Sequence, residues 1–212
     1  MMASIKCAKN GPLIVDGIDK LTRLGSEINY DTEERMALCR CGKSSNKPFC
    51  DGTHAKINFD DSKHIDRTAD RRVDYVGKQV TIHDNRGICA HAGICTDRLK
   101  QVFRYGQEPW IDPDGASIEE VDSIIQACPS GALSYSIDGF EKRPDYSGEP
   151  RIFVAPGGPY AIKGSIEMDG IEWAEGAQHD CFDLCRCGQS KNKPFCDGSH
   201  WNTEFDEDEK AK

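Results

Sequence analysis

Apolar residues along this chain come in runs of only a few positions, broken by charged residues, glycine and proline. No run approaches the roughly 20 residues that a membrane-spanning helix needs. The clearest periodicity lies near the centre. Residues 97–105 place Leu99, Val102 and Phe103 at helical spacing. Further on, Ser117 and Glu120 form a capping box ahead of Ile118, Val121, Ile124 and Ile125, which share one side of a helix. That helix is expected to deliver Cys128 just before Pro129 ends it. Strands are expected at 79–83 and 133–137, so the central segment predicts a small α+β unit.

On either side the chain repeats itself. CRCGKSSNKPFCDGTH, from Cys39 to His54, returns as CRCGQSKNKPFCDGSH, from Cys185 to His200, and differs only at Lys43/Gln189, Ser45/Lys191 and Thr53/Ser199. Upstream, the segment from Gly11 to Gly17 matches that from Gly158 to Gly164, so each copy is about 50 residues long. The reading is a first module at 1–65, a different unit at 66–148, a second module at 149–205 and a charged tail at 206–212 expected to be disordered.

Composition sharpens this. Lys and Arg number 27 against 36 Asp and Glu, a net charge of −9, which argues against nucleic acid or an anionic membrane as the main partner. The opening MMASIKCAKNG lacks the apolar core of a signal peptide, so a cytoplasmic location is expected. Charged residues make up 30% of the chain, and a module of about 60 residues buries only about 60% of its unfolded surface. Something besides apolar burial must hold each module, and the 11 cysteines are the candidates. An odd number in a reducing compartment favours metal ligation over disulfides.

The repeated motif is C-x-C-x8-C-x3-H. It offers Cys39, Cys41, Cys50 and His54 in the first copy and Cys185, Cys187, Cys196 and His200 in the second. Cys50 and His54 are four apart, so one turn of helix would put both on one face. Gly52 and Gly198 permit a positive φ at the turn, Asp51 and Asp197 can accept its amides, and Pro48 and Pro194 stiffen the approach. Three thiolates and an imidazole also make an ordinary structural zinc site. The tight C-x-C bite suits two thiolates on one iron of a diiron cluster, and spacing alone leaves both metals open.

With Ser44 and Ser190 included, the signature C-x-C-x2-S-x3-P-x-C-D-G-(S/T)-H resembles that of the CDGSH iron-sulfur domain (mitoNEET-like) family in both copies. The resemblance implies a β-rich cap and a [2Fe-2S] cluster per motif. One iron would take Cys39 and Cys41 and the other Cys50 and His54; in the second copy the pairs are Cys185 with Cys187 and Cys196 with His200. It also implies two modules paired about a two-fold axis, here within one chain; the sequence departs from the membrane-anchored members in showing no N-terminal transmembrane helix. A neutral imidazole in place of one thiolate removes a negative charge, so a potential between all-cysteine and Rieske centres is expected, with a cluster that acid loosens. Lys47 and Lys193 read as solvated loop lysines that could instead tune the potential or dock an anionic partner.

The middle unit carries Cys89, Cys95 and Cys128-Pro129. Bacterial ferredoxins read C-x2-C-x2-C with a distant Cys-Pro; Ala92 stands where the central cysteine belongs. The arrangement resembles the divergent single-cluster ferredoxin domains that accompany CDGSH motifs in some bacterial proteins. Three cysteines suffice for a [3Fe-4S] cluster; His91 or an exogenous ligand could complete a [4Fe-4S]; a degenerate site with buried thiols and no cluster is the remaining alternative. Cys7 and Cys181 read as free thiols, His64, His83 and His179 as ordinary surface or core residues, and Trp110 and Trp173 as packing residues.

The fold class expected is α+β, with two β-rich CDGSH modules around a ferredoxin-like domain. No nucleotide loop or assigned nucleophile points to an enzyme. The function expected is one-electron transfer to a redox partner protein. The alternative is cluster storage, donation to an apo-acceptor, or redox and pH sensing.

Overall fold

The computed structural model describes residues 3–203 and 205. The charged tail at 206–212 lies outside the described residues. The first copy contributes β1 (Ser4–Cys7), β2 (Leu13–Asp16), β3 (Leu21–Arg23), β4 (Arg35–Leu38) and the one-turn helix α1 (Thr53–Lys56). The middle unit contributes β5 (Val73–Val76), β6 (Thr81–Asp84), α2 (Ile94–Arg98), α3 (Ile118–Gln126), β7 (Leu133–Ile137) and β8 (Phe140–Lys142). The second copy repeats the first as β9 (Arg151–Val154), β10 (Tyr160–Lys163), β11 (Glu167–Asp169) and β12 (Cys181–Leu184), closing on a 3-10 turn at Ser199–Asn202. The architecture is α+β.

Among the described residues these strands make three sheets, β11-β1-β2-β4, β12-β10-β9-β3 and β5-β6-β7-β8. In β2, Leu13 and Val15 alternate inward and are buried, the period-two signature of a half-buried strand. The two outer sheets are related by the repeat and exchange a strand. β3 of the first copy pairs in parallel with β9 of the second, Leu21 opposite Ile152. β11 pairs in parallel with β1, Glu167 opposite Ser4. Each copy therefore completes the other's sheet.

In the middle unit the capping box is present: Ser117 Oγ accepts from Glu120 N and the Glu120 carboxylate accepts from Ser117 N. Val121, Ile124 and Ile125 are buried, and the chain leaves α3 to reach Cys128. β7 spans the expected residues, and β6 lies two residues beyond the expected start. The helix expected at 97–105 is corrected: α2 ends at Arg98. The following backbone pairs instead with a later segment, Asp112 N donating to Val102 O at 2.8 Å and Arg104 N to Trp110 O at 2.6 Å. Leu99, Val102 and Phe103 are buried all the same, because the apolar requirement of the core is met by a turn rather than a helix. Among the described residues no helix is long and apolar enough to cross a membrane.

Candidate metal centres

Each CDGSH loop hangs from the last strand of its sheet. In the first copy Cys39 N donates to Pro48 O and Cys50 N to Ala37 O, both at 2.8 Å, which folds the loop back on β4. Ser44 Oγ donates to Phe49 O at 2.6 Å and accepts from Asn46 N at 3.0 Å, so the serine of the motif braces the loop from inside. Asp51 accepts from Ser45 N and from Thr53 N, both at 2.9 Å, and Gly52 turns the chain at φ 84°. The sequence expectation placed Cys50 and His54 on one helix. The structure corrects this: α1 starts at Thr53 and carries only the histidine, while Cys50 reaches it from the turn before.

The donor atoms come as pairs. Cys39 Sγ and Cys41 Sγ lie 3.8 Å apart, and Cys185 Sγ and Cys187 Sγ also 3.8 Å. Cys50 Sγ lies 3.3 Å from His54 Nδ1, and Cys196 Sγ 3.4 Å from His200 Nδ1. Two thiolates about 2.3 Å from one tetrahedral metal are about 3.8 Å apart, and a thiolate with an imidazole nitrogen about 3.5 Å. Each pair thus has the spacing of two ligands on one metal atom, and each loop offers two pairs. Among the described residues no three His, Cys, Asp or Glu side chains converge on a single ion. The donor sets fit a two-metal cluster. In each copy the hydrogen bond between the paired thiols favours ionisation of one of the two, Cys39 in the first and Cys187 in the second.

Between the paired cysteines lies a residue that spacing arguments overlooked. Arg40 is buried, with Nε donating to Gly11 O at 3.0 Å and a second nitrogen to Ala8 O at 2.7 Å and to Asp61 at 2.7 Å. Arg186 repeats this to Gly158 O at 2.9 Å and Ala155 O at 2.8 Å. These guanidinium groups lock the C-x-C loops to the upstream Gly-Pro turns, which explains why those turns recur with the motif. Their signal was available: the same arginine occupies the central position of both C-x-C pairs. Lys193 also departs from expectation, being buried with Nζ donating to Ser190 O at 2.6 Å, whereas Lys47 is half-buried.

The two copies differ in exposure. Cys50 and His54 are half-buried, whereas Cys196 and His200 are buried, and burial holds the His200 imidazole below its ordinary pKa. The second loop is covered by the middle unit. Asn192 Nδ2 donates to Gly87 O at 2.7 Å, and the His91 ring lies against Gly198, where an added Cβ would stand 2.5 Å from His91 Cδ2.

The three middle cysteines border one cavity of about 880 Å³, with His91 and Asp84 also on its wall. Cys89 follows a 3-10 turn that Asn85 caps, Cys95 sits in α2, and Cys128 follows α3. His91 N donates to Cys89 Sγ at 3.4 Å, and Ser130 Oγ lies 3.8 Å from Cys128 Sγ. Burial is the main cause raising the Cys89 thiol to about 12 and the Cys95 thiol to about 11. Behind Cys128, Lys163 Nζ donates to Pro129 O at 2.9 Å and to Cys181 Sγ at 2.7 Å, so the free thiol of Cys181 is tied to this loop. Cys7 is half-buried, and His83 is a core residue bonded to Asp74 at 2.7 Å and Ser136 at 3.0 Å. Trp110 packs on Tyr75 and Phe103, and Trp173 on His179, Phe182 and Phe195.

Asp84 carries a testable consequence. It is 1% exposed, and neither carboxylate oxygen meets a hydrogen-bond partner. Burial raises it to about 7, with the Arg86 charge pulling the other way. The unfolded carboxyl ionises near pH 4, so between about pH 4 and 7 only the unfolded chain loses this proton and the fold is progressively destabilised. Asp84→Asn should therefore stabilise the protein by on the order of 2–4 kcal/mol above pH 7, and by less as the pH falls. Urea unfolding from pH 5 to 8.5 checks this; a gain that does not grow with pH would contradict it.

Residues 10–55 and 157–201 each match the family described as iron-binding zinc finger CDGSH type. The chain belongs to the CDGSH iron-sulfur family. Residues 75–138 match a second family, described as divergent 4Fe-4S mono-cluster, so iron-sulfur-binding CDGSH domains flank a divergent ferredoxin-type domain. Among relatives, "Uncharacterized protein YjdI" of Escherichia coli (strain K12) is 38% identical over 61 residues, 29% of this chain and 80% of YjdI. The "CDGSH iron-sulfur domain-containing protein 2 homolog" of Drosophila erecta is 42% identical over 50 residues, 24% of this chain and 31% of that protein. The "CDGSH iron-sulfur domain protein" of Drosophila melanogaster is similar to the same extent. No solved structure matches the chain.

Proposed function

We propose that the chain is a one-electron carrier with two [2Fe-2S] clusters, held by Cys39, Cys41, Cys50 and His54 and by Cys185, Cys187, Cys196 and His200, and a [3Fe-4S] cluster held by Cys89, Cys95 and Cys128. The observation that carries this reading is the pairing of donors at 3.8 Å and 3.3–3.4 Å in both copies. Such clusters, when bound, take up and release single electrons. The chain's own residues hold the ligand loops rigid through Arg40, Arg186, Ser44 and Ser190, which keeps the change in geometry between redox states small. Docking of a redox partner protein is the expected mode of use, and no residue is assigned to catalysis.

A second reading, cluster donation to an apo-acceptor or redox and pH sensing, is favoured by one observation: the Cys50-His54 pair is half-exposed, so a protein or a proton can reach it.

The deciding measurement is iron, acid-labile sulfide and zinc per chain after anaerobic purification, with electron paramagnetic resonance (EPR) spectra before and after dithionite. About 7 iron with an oxidised-state signal is expected. About 4 iron and a silent oxidised form would remove the middle cluster and favour donation or sensing; a colourless zinc protein would overturn both readings. A carrier keeps its iron through repeated reduction and oxidation, whereas a donor loses it to an apo-acceptor.

A further inference from the structure

We infer that the three cluster sites form a linear relay in which the second CDGSH site stands between the other two, so that electrons pass between the middle domain and the first CDGSH site only through it. This rests on the electron-carrier reading above. Electron tunnelling weakens exponentially with the gap and passes better through packed backbone than through water, so the contacts between ligand loops set the order.

The first and second loops touch reciprocally. An added Cβ at Gly42 would collide with the Cys187 carbonyl, and one at Gly188 would stand 2.5 Å from the Cys41 carbonyl. Tyr160 of β10 also reaches across, its hydroxyl donating to Cys39 O and Pro48 O at 2.9 Å. The second loop meets the middle site on its other side. His91, between Cys89 and Cys95 in sequence, lies against Gly198, between Cys196 and His200. Gly131, just past Cys128, has no room for a Cβ against the Cys181 carbonyl of the second copy. Among the described residues no hydrogen bond or close glycine contact joins the first ligand loop to Cys89, Cys95 or Cys128.

The equivalent glycines mark the two ends of the path. At Gly198 the position is covered by His91, whereas at Gly52 nothing lies within 4 Å of an added Cβ. The face that the middle domain occupies on the second site is left open on the first. The first site is thus the port toward an external redox partner, and the second is internal.

The test is power-saturation EPR on the full chain, with iron and sulfide measured in parallel. In the intact protein the second [2Fe-2S] signal should change its relaxation when the middle cluster changes redox state. Emptying the second site with Cys196→Ser and His200→Ala should leave the first signal sharp and indifferent to the middle cluster. Emptying the first with Cys50→Ser and His54→Ala should leave the coupling of second to middle in place. A first signal that still responds to the middle cluster without the second, or a second signal indifferent to it, would overturn the relay. If the emptied variants do not fold, His91→Ala, which keeps every cysteine and both ligand histidines, should weaken the coupling of second to middle and leave that of first to second unchanged; no change, or equal loss at both, overturns the inference. A chain short of iron at the middle site would instead defeat the carrier reading itself, whereas full iron without coupling defeats the relay alone.

Discussion

Replacing His54 and His200 by cysteine lowers the reduction potentials of both CDGSH sites by on the order of 100–300 mV. Two histidines for two cysteines separate Rieske centres from plant-type ferredoxins, and a single exchange is about half of that change. Each variant adds one negative charge where His54 Nδ1 or His200 Nδ1 now faces its cysteine at 3.3 or 3.4 Å. The drop should be larger at the second site, because His200 is buried and water screens the added charge less than around half-exposed His54. Acid release of iron should slow as well, since the protonatable ligand is gone. Potentiometric titration followed by EPR, with absorbance decay in acid, measures both. Potentials that do not move would show that the imidazoles are not ligands.

Gly188→Ala should cost about 2–5 kcal/mol and lower the melting temperature by roughly 5–15 °C. Two terms add: Gly188 sits at φ 79°, where an L side chain is strained, and the new methyl would press on the Cys41 carbonyl of the other copy. Gly42→Ala mirrors it against Cys187, with φ 73°. Because each methyl displaces the opposite loop, iron should fall at both CDGSH sites, not only at the mutated one. Gly139→Ala separates the two terms: φ is 82° there but nothing lies within 4 Å, so about 1 kcal/mol is expected. Thermal unfolding and iron content of the three variants check this. Equal effects at Gly139 and Gly188 would mean that the loops do not bear on one another.

The paired donors were legible because a 16-residue segment recurs with cysteines and histidine in register, and the α3 cap because Ser117 and Glu120 carry their own local chemistry. The strand exchange was not legible. β3 and β11 are three residues long, and their pattern is the same whichever sheet receives them; only the tertiary fit decides. The 97–105 segment misled because helical spacing of Leu99, Val102 and Phe103 states which side chains must be buried, not which backbone partners the chain will choose. Lys193 and Asp84 could not be placed in advance, since burial of a charged side chain depends on distant segments that pack over it. Lys193 meets its need with a carbonyl, and Asp84 does not.

The exchanged strands also govern how the protein comes into being on the ribosome. The sheet that carries Cys39 and Cys41 lacks its edge strand until Glu167–Asp169 has been synthesised and has emerged. The nascent first copy therefore waits, thiols unpaired, while the whole middle domain is made, a long-range closure of the kind that slows folding. Iron and sulfide delivered early would meet an unfinished site, so both outer centres should mature late and together, and truncation after residue 148 should leave the first one unloaded.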